Sequence, residues 1–280
     1  MKEKYIRAAD ADFQHFEVLR SNRNKRYHAG EFLVEGVRSL KEAKACGWEI
    51  RSLIYPDAKL SDWANGYIAE CGCDINYRLT PELMARLSGK TDPSEMMAIV
   101  AMKPDMAESG VDKIVASLPE NPMIVLFDRP SNRGNLGTLI RSADALGVSL
   151  LLTTGHSVDL YDPEVVVSAM GSFFKVPAMR ISDNRVLDAL IERLRRRYSD
   201  FTLLGTTAHR QHPIWGAPLA KPFMLMIGNE TMGLSAAFKE KCDLLCTIPM
   251  AEDSYATSFN VSCAATAMLY EAVRQRAGGQ

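Results

Sequence analysis

Ile124-Val125-Leu126-Phe127, followed after a short gap by Asn132-Arg133-Gly134-Asn135-Leu136-Gly137, decides the fold class. An unbroken apolar run of this length reads as a strand buried on both faces, the form strands take in parallel sheets. The Asn- and Gly-rich loop then opens a helix over 136–146, whose Leu136, Leu139, Ile140, Ala143 and Leu146 recur at helical spacing. The same grammar returns twice. Phe223–Ile227 leads into Gly228-Asn229-Glu230, and Leu244–Ile248 leads into Pro249-Met250. Open α/β sheets bind ligands at the C-terminal ends of parallel strands, so three such loops predict one small-molecule site.

Working outward, the second half alternates strand and helix throughout. Strands are predicted at 123–127, 148–153, 176–180, 201–205, 223–227 and 244–248, with helices at 136–146, 163–170, 185–197, 235–241 and 259–274. The last helix carries Val261, Ala264, Ala265, Ala267, Met268 and Leu269 on nearly all sides, which predicts deep burial. The first half holds a helix at 12–21, strands at 32–34, 50–55, 74–79 and 96–102, and helices at 37–45, 61–70 and from Pro81. Thr80-Pro81 is a capped helix start. Lys103 to Asn121 mixes Pro104, Gly110 and Pro119 and reads as a linker. The expected organisation is an α/β domain over 1–103, a linker over 104–121 and a second α/β domain over 122–280.

Composition narrows the function. Lys+Arg 33 against Asp+Glu 34 leaves a net charge of −1, so any nucleic-acid surface must be local. Two local clusters exist: Arg20, Arg23, Lys25 and Arg26, and Arg193, Arg195, Arg196 and Arg197. The first has no acidic residue within it and suits phosphate tracking; the second suits either RNA or the dipole of the helix it ends. The six cysteines form no pair of CxxC motifs and have no neighbouring His, so no metal is expected. The charged start Met1-Lys2-Glu3-Lys4 lacks the apolar core of a secretion signal, and no apolar run reaches the ~20 residues of a membrane span. The expected location is the cytoplasm.

Three loop motifs carry the chemistry. In Asn135-x-Gly137-x-x-x-Arg141, Asn135 suits a helix cap, and Gly137 admits a close neighbour. Arg141 lies about 140° from Leu136, off the apolar face, free to meet a phosphate or to pair with Asp144. Gly228 to Ser235 joins a buried strand to a helix, with Glu230 in solvent as the plainer alternative. Ser258-Phe259-Asn260 opens the last helix, and the Asn260 amide requires hydrogen-bond partners there. Pro249 ends its strand and leaves nearby backbone groups free for a ligand. Gly134 and Gly137 do not form the dinucleotide fingerprint, which disfavours an oxidoreductase on a doubly wound sheet.

In this order, the three motifs resemble those of the SpoU (TrmH-like) RNA ribose 2′-O-methyltransferases of the SPOUT superfamily: N-x-G-x-x-x-R, then G-N-E-x-x-G, then I-P-M with S-L-N-V. Phe259 replaces the usual Leu, and the loop between Met250 and Ser258 is about two residues longer than is common for that family. The resemblance covers about 122–275 and extends to Phe32-Leu33-Val34-Glu35-Gly36, which looks like the entry strand of the family's small RNA-binding domain. It implies a C-terminal trefoil-knotted parallel sheet with helices on both faces, plus that small N-terminal α/β domain. It further implies S-adenosylmethionine held by Thr206, Thr207, Gly228, Asn229, Ile248, Met250 and Phe259, with Gly228 leaving room for the ligand. Arg141 is the implied activator of a ribose hydroxyl, oriented with the ribose by Asn135, Glu230, Ser258 and Asn260. The implied partners are RNA, ribosomal ahead of transfer RNA, and a second copy of the chain. A catalytically silent RNA-binding protein on the same scaffold is the rival reading.

Overall fold

The computed structural model describes residues 2–156, 158–208 and 212–278. The chain begins with β1 (Lys2–Ile6), α1 (Ala11–Ser21), α2 (Arg23–Ala29), β2 (Glu31–Glu35), α3 (Val37–Ala45) and β3 (Ile50–Pro56). It continues with α4 (Asp62–Cys71), β4 (Ile75–Leu79), α5 (Pro81–Ser88), β5 (Met97–Ala101), α6 (Val111–Ser117), β6 (Met123–Phe127) and α7 (Arg133–Ala145). Next come β7 (Leu150–Thr153), α8 (Pro163–Ser168), α9 (Ser172–Lys175), β8 (Ala178–Arg180), α10 (Asn184–Arg197) and β9 (Thr202–Thr206). The end holds β10 (His212–Pro213), β11 (Phe223–Ile227), α11 (Ala236–Lys241), β12 (Leu244–Thr247) and α12 (Val261–Ala277).

Two compact units result: Met1–Lys103 with Tyr161–Lys175, and Pro104–Leu160 with Val176–Gln280. The first has a five-stranded sheet in the order β1-β4-β3-β5-β2, with β5 antiparallel to both neighbours. Two of its elements escape the periodicity reading. β1 is a charged edge strand whose only buried residue is Ile6, and charge of this kind protects an open sheet edge. The basic run is itself a helix, α2, capped by Asn22 and ended by Gly30 in the left-handed conformation.

The segment 161–175 departs from the expected division. Phe173 and Phe174 lie with Tyr161 around Phe32 at centroid distances of 5.7, 6.4 and 4.9 Å, and Trp48 Nε1 donates to the Phe174 carbonyl at 2.8 Å. These rings belong to the core of the first unit, although the segment interrupts the second in sequence.

The second unit contains a seven-stranded, all-parallel sheet in the order β10-β12-β9-β11-β6-β7-β8. β6 and β11 are buried at every residue and run in register from Met123↔Phe223 to Phe127↔Ile227. That register brings their C-terminal ends level, beside the end of β9. The stretch 104–121 is not a free linker here, because Met106, Val111, Val115 and Leu118 are buried in the core of this unit. α12 is also less enclosed than its composition predicts. Ser262, Ala265, Met268, Leu269 and Ala272 are buried, whereas Cys263, Ala267, Tyr270 and Arg274 form an exposed stripe, with Tyr270 62% accessible. Small residues made the helix look uniformly apolar, yet only one face packs.

Candidate functional site

A cavity of about 420 Å³ opens where β9, β11 and β12 end and α12 begins. Its walls include Thr206, Thr207, Gly228, Asn229, Glu230, Ile248, Met250, Ser258 and Phe259, so residues from three sequence-distant loops meet in one place. Ile227, Leu234, Ala264, Ala265 and Met268 supply an apolar lining, while the threonines and Ser258 supply hydroxyls. This size and mixture suit a nucleoside-sized ligand.

The loop after β11 folds on itself. Asn229 and Gly233 exchange backbone hydrogen bonds at 3.1 and 2.9 Å, and Asn229 Oδ1 accepts from the amides of Thr231 and Met232, both at 2.9 Å. Asn229 Nδ2 donates to the Arg129 carbonyl at 2.7 Å. The Asn229 side chain is therefore committed to shaping the wall. Gly228 is required by the loop itself: a Cβ there would stand 2.1 Å from the Leu234 nitrogen and 2.3 Å from the Gly233 carbonyl carbon. The loop's own backbone excludes a side chain.

Glu230 joins this loop to the start of α7. Its Oε2 accepts from Ser131 N at 2.9 Å and Ser131 Oγ at 2.5 Å; its Oε1 accepts from Asn132 N at 3.1 Å and Asn135 Nδ2 at 3.2 Å. Burial pushes this carboxyl up, but hydrogen bonds from Ser131, its own backbone amide and Asn135 outweigh that and hold it below the usual carboxylate range. Asn260 Nδ2 donates to Asn135 Oδ1 at 3.0 Å, and Ser262 Oγ donates to the Asn135 carbonyl at 2.7 Å. Thus Asn135, Glu230 and Asn260 form one connected polar chain at the cavity's edge.

Capping differs from the sequence expectation. Asn132, three residues earlier than Asn135, caps α7 by accepting from Asn135 N at 2.9 Å. Asn260 caps α12, accepting from Ser262 N and Cys263 N at 3.0 and 3.3 Å. The displaced cap leaves the Asn135 side chain free to reach Glu230. Arg141 lies on α7 six residues beyond Asn135, about 9 Å along the axis. It is exposed and stands outside the cavity lining of its own chain.

Asp128 and Arg129 were not singled out by the sequence reading. Asp128 is 2% accessible and accepts from Thr154 Oγ1 at 2.9 Å, from the Arg129 guanidinium at 3.0 Å and from Ser235 N at 3.0 Å. Arg129, at a φ of 51°, also donates to the Gly233 carbonyl at 3.3 Å. A charged pair directly after a buried strand was the available signal.

The basic clusters separate on inspection. Arg23 and Lys25 lie on α2, with the Arg23 guanidinium 5.3 Å from the Tyr27 ring centre, and Arg20 donates to the Arg86 carbonyl. Arg26 must be withdrawn from the phosphate-tracking set. It is 1% accessible, donates to the carbonyls of Leu19 and Arg20, and faces Asp162 at 3.6 Å. In the other cluster, Arg193 pairs with Asp112, Arg195 with Asp243 and Arg196 with Glu192, while Arg197 donates to the carbonyls of Val115 and Leu118. The structural role accounts for all four.

Residues 122–270 match the SpoU rRNA Methylase family, and residues 10–98 match a SpoU L30e-like domain. The chain belongs to the SpoU rRNA methylase family. Within it, the chain is 42% identical over 278 residues to a 23S rRNA (uridine(2479)-2′-O)-methyltransferase of Streptomyces viridochromogenes, covering 98% of this chain and 93% of that one. It is 27% identical over 250 residues to the 23S rRNA (guanosine(2553)-2′-O)-methyltransferase RlmP of Bacillus subtilis, covering 89% and 90%. The SpoU methyltransferase AviRb of Streptomyces viridochromogenes, solved in complex with the cofactor AdoMet, superposes with a TM-score of 0.86 at 41% identity, covering 96% of this chain and all of that one.

Proposed function

We propose that this chain methylates a ribose 2′-hydroxyl of ribosomal RNA, using S-adenosylmethionine. The observation that carries the reading is that two of the motif loops, together with the loop after β9, line one cavity, while the third, at the start of α7, is bonded to them through Asn135, Glu230 and Asn260. The cavity fits the cofactor by size and by its mixture of apolar walls and hydroxyls. Thr206, Thr207, Gly228, Ile248, Met250 and Phe259, all in the cavity wall, would hold it. When bound, it supplies an electrophilic methyl group on a positively charged sulfur.

The chain's own task is alignment and charge. Glu230, below the usual carboxylate range and supplied with four donors, stays ionised and holds Asn135 in place rather than taking a proton. Asn135, Asn260 and Ser258 then orient the ribose for in-line attack. A guanidinium stays protonated in proteins and does not act as a base. Arg141 therefore stabilises the oxyanion that forms as the hydroxyl proton passes to water. Because Arg141 stands outside its own chain's cavity, the reading includes a homodimer in which Arg141 of one copy serves the site of the other. It also includes a trefoil knot, with the chain from Gly228 through α12 threaded through a preceding loop, a cytoplasmic location, and RNA held by the first unit through Arg20, Arg23 and Lys25.

Methyl transfer from labelled S-adenosylmethionine to ribosomal RNA, mapped by reverse-transcription stops at 2′-O-methylated positions, tests this. One modified ribose with wild type and loss of the signal with Arg141→Ala are expected. Absence of transfer to any ribosomal RNA refutes the reading. An Arg141→Ala variant with undiminished biological activity would instead favour the silent RNA-binding alternative.

A further inference from the structure

We infer that Lys239 is the anchor for the α-carboxylate of the cofactor's amino-acid portion, an inference that rests on the cofactor reading above. Lys239 lies on the short helix α11 and lines the cavity, half-buried, together with Gly228, Met232 and Thr207. Among the described lining residues it is the sole Lys or Arg, and Glu230 is the sole acid. The Glu230 oxygens already accept from Ser131, Asn132 and Asn135, so that charge is spent on the α7 side. Lys239 is different. Its ammonium has no hydrogen bond or ion pair among the described residues, whereas Lys241 on the same helix binds Asp188 at 2.5 Å.

An unpaired ammonium on a half-buried side chain of a cavity wall selects for an anion, because a charge-assisted bond there replaces lost hydration. S-adenosylmethionine offers one anionic group. Its sulfonium and α-ammonium are cations that Lys239 repels, and its adenosine is neutral. The α-carboxylate is the complementary group, and placing it at Lys239 fixes which way the amino-acid portion points. RNA phosphate is the competing anion, and the test separates the two.

The experiment is isothermal titration calorimetry of the full-length chain with S-adenosylmethionine, S-adenosylhomocysteine and 5′-methylthioadenosine, the last lacking the amino-acid portion. Wild type, Lys239→Met and Lys239→Arg are compared, with thermal melts confirming folding. Lys239→Met is expected to weaken both amino-acid-bearing ligands by about ten-fold, the scale of one hydrogen bond to a charged group, and to leave methylthioadenosine unchanged. Lys239→Arg retains most of the affinity. Equal weakening of all three ligands, or of none, overturns the inference. So does loss of ribosomal RNA binding in cofactor-free protein with cofactor affinity intact, which assigns Lys239 to a phosphate. A wild type that binds none of the three ligands removes the cofactor reading itself, and the inference with it.

Discussion

Replacing Glu230 by Gln keeps the side chain's size and removes its charge, which isolates what the carboxylate does. In the native chain four donors converge on its two oxygens. A glutamine amide presents one oxygen and one NH₂, so one pair of donors, either from Ser131 or from Asn132 and Asn135, meets another donor. Two charge-assisted bonds are lost, nominally about 3 kcal/mol at 1.5 kcal/mol each. Partial solvent access screens this to about 1–2 kcal/mol. For a chain of this size the melting temperature falls by roughly 2–6 °C. The pH dependence follows from the direction of the shift. Because the folded carboxyl titrates below its unfolded value, its stabilisation is present above the unfolded pKa and disappears as pH falls through the folded one. Differential scanning calorimetry of wild type and Glu230→Gln from pH 7 downward measures the gap directly. The gap should narrow below about pH 5 as wild type loses what the variant never had. A constant gap across that range, or none at pH 7, refutes the assignment of Glu230 as an ionised hub.

Gly228→Ala should abolish cofactor binding by calorimetry, since the new methyl collides with the Leu234 amide and the wall must rearrange. Asn260→Ala removes the α12 cap and the bond to Asn135; a loss of about 1 kcal/mol or more in urea unfolding is expected. Arg23→Ala with Lys25→Ala should weaken ribosomal RNA binding and flatten its log–log salt dependence by about 2 units. Arg195→Ala with Arg196→Ala should leave that slope unchanged, because both side chains are already paired within the chain.

The legible parts of this fold share a physical reason. Met123–Phe127 and Phe223–Ile227 are buried on both faces, so unbroken apolar runs announced them and the loops that follow. What escaped depends on contacts between residues far apart in sequence. Lys2–Ile6 is a strand through its pairing with Ile75–Leu79, not through its own pattern. Arg26 looks like a surface cation until Asp162 and two carbonyls enclose it. The site shows the same limit. Gly228, Glu230 and Asn260 were visible as motif residues, yet the clash that demands Gly228 lies in how its loop closes. Asp128 and Arg129 gain their importance from Thr154, Gly233 and Ser235, none of them a sequence neighbour.

The segment 161–175 has a consequence for how this protein comes into being. During synthesis the first hundred residues emerge with Phe32 and Trp48 lacking the rings that finish their surroundings, and Phe173 and Phe174 are made only after β6 and β7. The aromatic cluster of the earlier unit is therefore complete only once the ribosome is well into the later one. The two halves also resist being inherited separately. A gene fusion that swaps residues 1–103 alone trades away one side of an aromatic cluster and keeps the other.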